Sequence, residues 1–378
     1  MAFSLFANRT NPIAVDVGAD TIKLLQAEPA KASSGNEPQF KLIAAHCQTI
    51  PEAIRSNFAE RDAFAADAIR KMLANGFKGK QVVTCLPSNH MSVQHLKMSK
   101  MSPDDFAKAL PFEIAGKLPF DANRAVLRHT IAGEVYQGQE VKQEIIVMAA
   151  PSEAVDRHLK LLDQAKVQVV GVHVEPNALI ECFGHIFRRK GSETISTLIL
   201  DMGASVTHVV IANGTSLVFA KHISIGGDLF NKRVADAVKC RLPAAKELRV
   251  KVANHQSKPS QSSGGGTAVL EQGTVEKVQH AIAQPLDALI FELQGCMRYY
   301  ESIFPSRSVD RVIFVGGESR HIALCQSIAQ RLGVPATLGD PMARLSKDNA
   351  ASSVDLRLPQ PGWAIAVGLG IGLCTPSK

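Results

Sequence analysis

The chain has 378 residues, 46% of them hydrophobic and 20% charged, enough apolar mass for two domains or one bilobal molecule. One Trp and three Tyr leave it short of the aromatic platforms on which single-stranded nucleic acids stack, which argues against a nucleic-acid partner. The net charge of +7 is spread without a Lys/Arg block, as on an ordinary solvated surface, although it would also suit an anionic membrane surface or an acidic partner.

The first eleven residues are short and end polar, so no secretory leader is expected. Strands are predicted over 13–28 and about 39–50, with a small-residue and polar loop from Pro29 to Pro38 between them. Phe64, Ala65, Ala68, Ile69, Met72 and Leu73 form a helical stripe over 60–75, closed by Asn75 and Gly76. Val82 to Leu86 reads as a short buried strand. Ser102, Pro103, Asp104 and Asp105 start a helix expected to reach Lys117: a capping hydroxyl, a proline in the first turn, and acids at the positive end of the dipole. Strands follow near 124–136 and 141–150, then a helix from Ser152 to Lys166, so 88–165 reads as a small inserted α/β unit.

The second half repeats the first, with strands near 197–202, 206–212 and 216–224 and then a mostly helical region. Residues 255–266 (HQSKPSQSSGGG) are low in complexity. A long helix is predicted from Thr274 to Phe304, kinked or broken at Pro285. Arg311 to Gly317 is a buried strand ending in two glycines, and a helix over 319–332 ends at a Gly333 cap. Ala364 to Leu373 reads as a glycine-containing helix packed tightly; its apolar stretch is about half the length of a membrane span. The seven cysteines form no Cys-x-x-Cys pair and read as small core residues, which fits a reducing compartment.

Two stretches read alike. Ile13 to Glu28 and Leu198 to Asn213 are each an apolar strand ending in Asp-x-Gly-Ala, a polar turn and a second apolar strand, with Asp16 and Asp201 185 positions apart. A glycine turn lets backbone N–H groups approach a phosphate with no Cβ in the way. A carboxylate at the strand end can hold Mg²⁺ directly or through water. Thr21 and Lys23 follow the first turn and can donate to phosphate oxygens. Turn-forming Asp and Gly in ordinary hairpins are the plainer reading of either one alone. Ile225-Gly226-Gly227-Asp228 is either a simple turn or a helix N-terminus open to an anion. Val315-Gly316-Gly317-Glu318 is either a structural turn or a backbone on which a base or ribose lies flat. No Gly-x-x-x-x-Gly-Lys-Ser/Thr loop, dinucleotide fingerprint or nucleophile elbow occurs. The twelve histidines show no metal-ligand spacing; His90, His95 and His173 read as surface or satisfied core residues.

Taken together, these blocks resemble the actin-like ATPase superfamily, and within it the PilM family of type IV pilus assembly, related to the division protein FtsA. The resemblance spans nearly the whole chain: Ile13–Glu28, Phe112–Asp121 with its Pro-Phe turn, Val174–Leu179, Ile225–Asn231, and Val334-Pro335 to Asp340-Pro341. It implies a bilobal α/β fold with duplicated sheet-and-helix domains: lobe one over 1–87 and 166–196, an inserted subdomain at 88–165, lobe two over 197–354 with a helical part at 228–305, and a C-terminal helix within 355–378 returning to lobe one. It implies ATP or ADP with Mg²⁺. Asp16, Gly18, Thr21 and Lys23 form the first phosphate loop, Asp201 and Gly203 the second, and both aspartates lie near the metal. Gly226 and Gly227 line the cleft, Glu247 and Arg249 touch ribose and base, and Gly316 and Gly317 face the adenosine.

Three departures stand out: Ala19 and Ala204 where hydroxyls are common, Lys246 and Arg249 in the Ala-Glu-x-x-Lys helix, and Glu318-Ser319-Arg320 where small residues are usual. With no evident base to position water, at most a slow ATPase is expected. The implied role is a cytoplasmic scaffold, peripheral at the inner membrane, that binds the N-terminal tail of a PilN-like membrane protein near 88–165 and links it to motor ATPases, with self-association left open. An FtsA-like division protein and an actin-fold small-molecule kinase are the alternatives. The first would need an amphipathic membrane helix, the second a substrate pocket with a catalytic acid or base.

Overall fold

A computed structural model describes residues 11–30, 40–187, 191, 194–256 and 271–372 of the chain. The first sheet begins with β1 (Ile13–Val17), β2 (Thr21–Pro29) and β3 (Phe40–Thr49). Helix α1 (Phe58–Leu73), capped by the Asn57 side chain, leads to β4 (Gln81–Cys85). The inserted segment carries β5 (Ser92–Ser99), α2 (Pro103–Ile114), β6 (Ala125–Gln137) and β7 (Glu140–Pro151). Helix α2 has the predicted Ser102 cap, whose hydroxyl accepts from the Asp105 N–H at 3.2 Å. The chain returns through α3 (Ser152–Gln164), β8 (Gln168–His173) and α4 (Glu175–Phe187).

The second sheet repeats the opening with β9 (Ser196–Met202), β10 (Thr207–Asn213) and β11 (Ser216–Ile223). Helices α5 (Gly227–Val238), α6 (Leu242–Gln256) and α7 (Gln272–Ile303) follow, then β12 (Arg311–Val315), α8 (Ile322–Leu332) and β13 (Ala336–Leu338). Two short strands, β14 (Leu345–Ser346) and β15 (Ala351–Ser352), return to β3, and α9 (Ala364–Ile371) ends the described chain.

The duplication is visible in strand order. The first sheet runs β3-β2-β1-β4-β8 and the second β11-β10-β9-β12-β13, each with the first two pairings antiparallel and the rest parallel. The central strands β1 and β9 are buried along their whole length, as sheets covered on both faces require. Every parallel strand therefore delivers its carboxyl end to the same side of its sheet, where open α/β sheets bind ligands.

One apolar cluster joins the halves: Ala14 and Leu25 of the first sheet, Ile199 and Ile313 of the second, and Ala178 and Phe183 of α4. Helix α9 closes it against α4, β1 and β2. That contact needs glycine: a Cβ on Gly368 would stand 1.8 Å from the Ala178 carbonyl oxygen. Cys85, Cys182, Cys296 and Cys325 are buried free thiols, as expected of core cysteines.

Three elements depart from expectation. Helix α3, read with the inserted unit, packs Leu161 and Leu162 against Ile13, Val15 and Ile69 of the first sheet and α1. Helix α7 is not broken at Pro285, the alternative to a kink there: its next turns bury Leu289, Ile290, Leu293 and Tyr300 under the second sheet, and that packing outweighs a missing backbone hydrogen bond. The helix predicted over 319–332 begins only at Ile322, after a tight turn over Gly317–Arg320. Most of Pro29–Pro38 and of 255–266 lies outside the described residues, as does Cys374.

Candidate nucleotide cleft

The two Asp-x-Gly-Ala turns superimpose in their bonding. Gly18 N–H donates to the Thr21 carbonyl at 3.0 Å, and Gly203 N–H to the Val206 carbonyl at 3.0 Å. A Cβ on either glycine would stand 2.9 Å from that same carbonyl oxygen, so glycine keeps both turns tight. Register then places Lys23 opposite Asp16 and His208 opposite Asp201. Both turns face one cavity of about 800 Å³ between the lobes.

Asp16, Gly18, Thr21, Lys23, Asp201, Gly203, Gly316 and Gly317 all line that cavity. Gly316, at φ +90°, lets the backbone turn within reach of Asp201; a Cβ there would meet the Met202 carbonyl oxygen at 2.3 Å. The chain beyond is braced by the Gly316 N–H, which donates to the Pro361 carbonyl at 2.9 Å.

The other four expected contacts have different places. Helix α5 does not offer a free N-terminus: Gly227 N–H donates to the Gly203 carbonyl at 3.0 Å and Asp228 N–H to the Ala204 carbonyl at 2.7 Å. Gly226 and Gly227 thus lock the helix onto the second turn, and they do not line the cavity. Glu247 is exposed in a shallow depression on α6 beside Pro243 and Val250. Arg249 is buried, donating to the Gly227 carbonyl at 3.0 Å and to Asn231 at 2.7 Å, and paired with Glu318. Glu318 and Arg249 therefore neutralise each other beside the Gly316-Gly317 turn, which is why two departures from the family pattern coexist without a stranded charge.

The electrostatics of the two halves differ. Lys23 Nζ lies 3.3 Å from Asp16 Oδ2. Burial alone would lower the Lys23 pKa, but Asp16, Asp20 and Asp201 outweigh it and raise it, so the ammonium stays charged. Burial pushes Asp201 up to about 7, against the pull of Lys23 and with the help of Asp16. Asp20, for which burial acts to raise the pKa, is held below the usual carboxylate range by Lys246 and Lys23.

Sequence reading missed several cleft residues. Arg61, buried in α1, donates to the Gly18 carbonyl at 3.0 Å and props the first turn. Lys246 reaches across to Asp20 at 3.4 Å, and Arg55 to Asp228 at 3.6 Å, so two ion pairs bridge the lobes at the cavity mouth. Glu175 and His208 also line the cavity. Burial pushes Glu175 up to about 8 and His208 well below the ordinary imidazole value. The seven-residue offset from Asp201 to His208 repeats that from Asp16 to Lys23, a signal present in the sequence. His95 is satisfied between Glu144 at 2.9 Å and the Ala220 carbonyl at 3.1 Å, and Tyr299 donates to the same Glu144 oxygen at 2.9 Å, fastening the inserted sheet to the second lobe.

Two sheets of matching order, each presenting an Asp-x-Gly turn to a shared cavity, define an actin-like ATPase fold. A family model described as type IV pilus assembly protein PilM matches residues 14–256, and the chain belongs to that family. It is similar to the solved structure of a PilM–PilN type IV pilus biogenesis complex, with a TM-score of 0.76 and 22% identity over 97% of this chain and 100% of that one. It is also similar to the ethanolamine utilization protein EutJ from Carboxydothermus hydrogenoformans, with a TM-score of 0.53 and 10% identity over 97% and 94% of the two chains. Among the described residues, no helix is long and apolar enough to cross a membrane.

Proposed function

We propose that this protein is a nucleotide-binding scaffold of type IV pilus assembly that docks the cytoplasmic N-terminal tail of a PilN-like inner-membrane protein. The observation that carries the nucleotide reading is the pair of Gly18 and Gly203 turns facing one cavity of about 800 Å³ with Asp16 and Asp201 at its base. The donor set fits ATP or ADP with Mg²⁺. Two carboxylates stand where a hard cation needs oxygen ligands, and Lys23, Thr21 and the two turns stand where phosphates need donors. Asp16 and Asp201 would hold the ion, directly or through water, and the ion would offset phosphate charge.

The cleft would set the spacing of the lobes for partners more than it would turn over ATP. Ala19 and Ala204 supply no hydroxyl, and the Lys246–Asp20 and Arg55–Asp228 pairs already draw the lobes together.

The partner reading draws on the family and on the likeness to a PilM–PilN complex. The inserted segment carries an apolar hollow of about 390 Å³ lined by Met101, Phe106, Leu110, Leu127 and Ile131, of a size for apolar side chains of a tail peptide. In this reading the protein is cytoplasmic, is held at the inner membrane by that tail, and links it to motor ATPases.

A titration and a pull-down test it. Mg-ATP measured calorimetrically should bind the native protein and lose at least tenfold in affinity with Asp201→Ala; tight binding indifferent to that change refutes the assigned site. A peptide copying the cytoplasmic N-terminal tail of a PilN-like inner-membrane protein should be retained in a pull-down. Absence of binding with and without ATP sinks the partner reading.

A further inference from the structure

Three side chains far apart in sequence converge behind the second turn. Glu175 opens α4, His208 lies on β10, and His222 lies directly opposite it on β11. One ligand atom from each lies within 4.8 Å of the other two. The two imidazoles meet edge to face with centroids 4.7 Å apart. Glu175 and His208 are more than nine-tenths buried. Each of the three carries a buried polar atom with no hydrogen-bond partner: Glu175 Oε2, His208 Nδ1 and His222 Nε2.

Three unsatisfied polar atoms in one buried spot are costly, since each forfeits its water without replacement. A core built only for packing would replace them with apolar groups. A single water can satisfy such atoms, but a cation does so with more energy, because the acceptors are two imidazole nitrogens and a carboxylate oxygen. The geometry points to a divalent-cation site made by Glu175, His208 and His222, selective for a borderline first-row ion such as Zn²⁺ over Mg²⁺. Imidazole suits zinc, iron, nickel and copper, whereas magnesium prefers oxygen donors alone. Ligand atoms around a tetrahedral zinc ion lie roughly 3.3 Å apart, so modest ring rotations close the set.

Glu175 and His208 also line the nucleotide cavity, so an ion held here keeps a free coordination position facing it. Three protein ligands with one position open is the arrangement of reactive zinc sites, whereas structural sites are closed by four. The site does not depend on ATP binding, and the measurement is made without nucleotide, so its failure and that of the nucleotide reading are separate.

Full-length protein without a histidine tag is stripped with chelator and titrated with Zn²⁺ against a chromophoric competitor, and separately with Co²⁺ followed by visible absorption. The expected result is one equivalent per chain, with d–d bands of low-symmetry Co²⁺. Affinity should fall roughly a hundredfold or more with His208→Ala or His222→Ala. His222→Cys should keep the stoichiometry and add a thiolate-to-cobalt charge-transfer band, which guards against a variant that merely misfolds. Less than one equivalent bound, or equal affinity in the His208→Ala/His222→Ala double variant with unchanged melting temperature, overturns the site. So does Mg²⁺ competing at equal concentration.

Discussion

The two Asp-x-Gly turns share a backbone and differ in what faces it. The glycine N–H bond, the distance a Cβ would find and the strand register are the same at Gly18 and Gly203. Yet Asp16 faces the ammonium of Lys23, while Asp201 faces the imidazole of His208 and is buried deeply enough to sit near neutrality. The same glycine turn occurs twice, and one different residue across the hairpin gives the halves different charge. One half carries a fixed ion pair. The other carries a carboxyl poised between protonation states, with a buried Glu175 and two histidines behind it.

Single substitutions test that contrast. The largest effect is expected at Gly316, which has no counterpart in the first half. Gly316→Ala combines a left-handed φ with a 2.3 Å clash against the Met202 carbonyl. It should cost about 4 kcal/mol in chemical denaturation or abolish folding; a loss below 1 kcal/mol would show that the turn relaxes freely.

Next comes the asymmetry of the aspartates. Asp16→Asn removes the nearest carboxylate of the Lys23 ammonium, leaving only Asp20 and Asp201 to offset it, and should cost about 3 kcal/mol, whereas Asp201→Asn should cost less than ~1 kcal/mol near neutral pH. Equal losses would dissolve the distinction between the halves. The same carboxyl predicts a pH dependence. Its folded pKa of about 7 lies above its unfolded value of 3.8, so the folded state holds the extra proton between them. Its contribution to stability is therefore complete below the unfolded pKa and is lost as pH rises through about 7. Denaturation of metal-free protein should show stability falling across that window, and Asp201→Asn should flatten the fall.

The shared backbone predicts a match rather than a contrast. Gly18→Ala and Gly203→Ala should each cost roughly 1–2 kcal/mol, since either Cβ meets a carbonyl oxygen at 2.9 Å. Different costs by calorimetry would mean the turns are not equivalent. The smallest effect belongs to Lys246→Ala: the pair with Asp20 is half exposed at 3.4 Å, and its loss should change stability by under ~1 kcal/mol.

Much of this was written locally. The alternation and apolar runs placed most strands within a few residues of where they lie. Ser102 announced the start of α2, and Gly333, at φ +68°, the end of α8. The paired Asp-x-Gly strings announced the cleft, because a tight turn depends on a few adjacent residues. Pro285 shows the limit of such signals: its local penalty is real, but the buried face of α7 overrides it.

What no local string could decide is which residues meet across the fold. Glu247 and Arg249 sit two positions apart, and tertiary packing sends one to solvent and the other into a buried pair with Glu318. The Gly226-Gly227 string is compatible with a simple turn or an open helix end, and only the Gly203 and Ala204 carbonyls, which accept from the Gly227 and Asp228 N–H groups, decide between them. Glu175, His208 and His222 come from three elements and converge only because β10 pairs with β11 beneath α4. The duplicated strands and the two glycine turns are local properties of the chain, since hydrophobic period and backbone freedom act over a few residues. The tertiary structure alone decided charge pairing and convergence, since those depend on distances between segments that no spacing along the chain records.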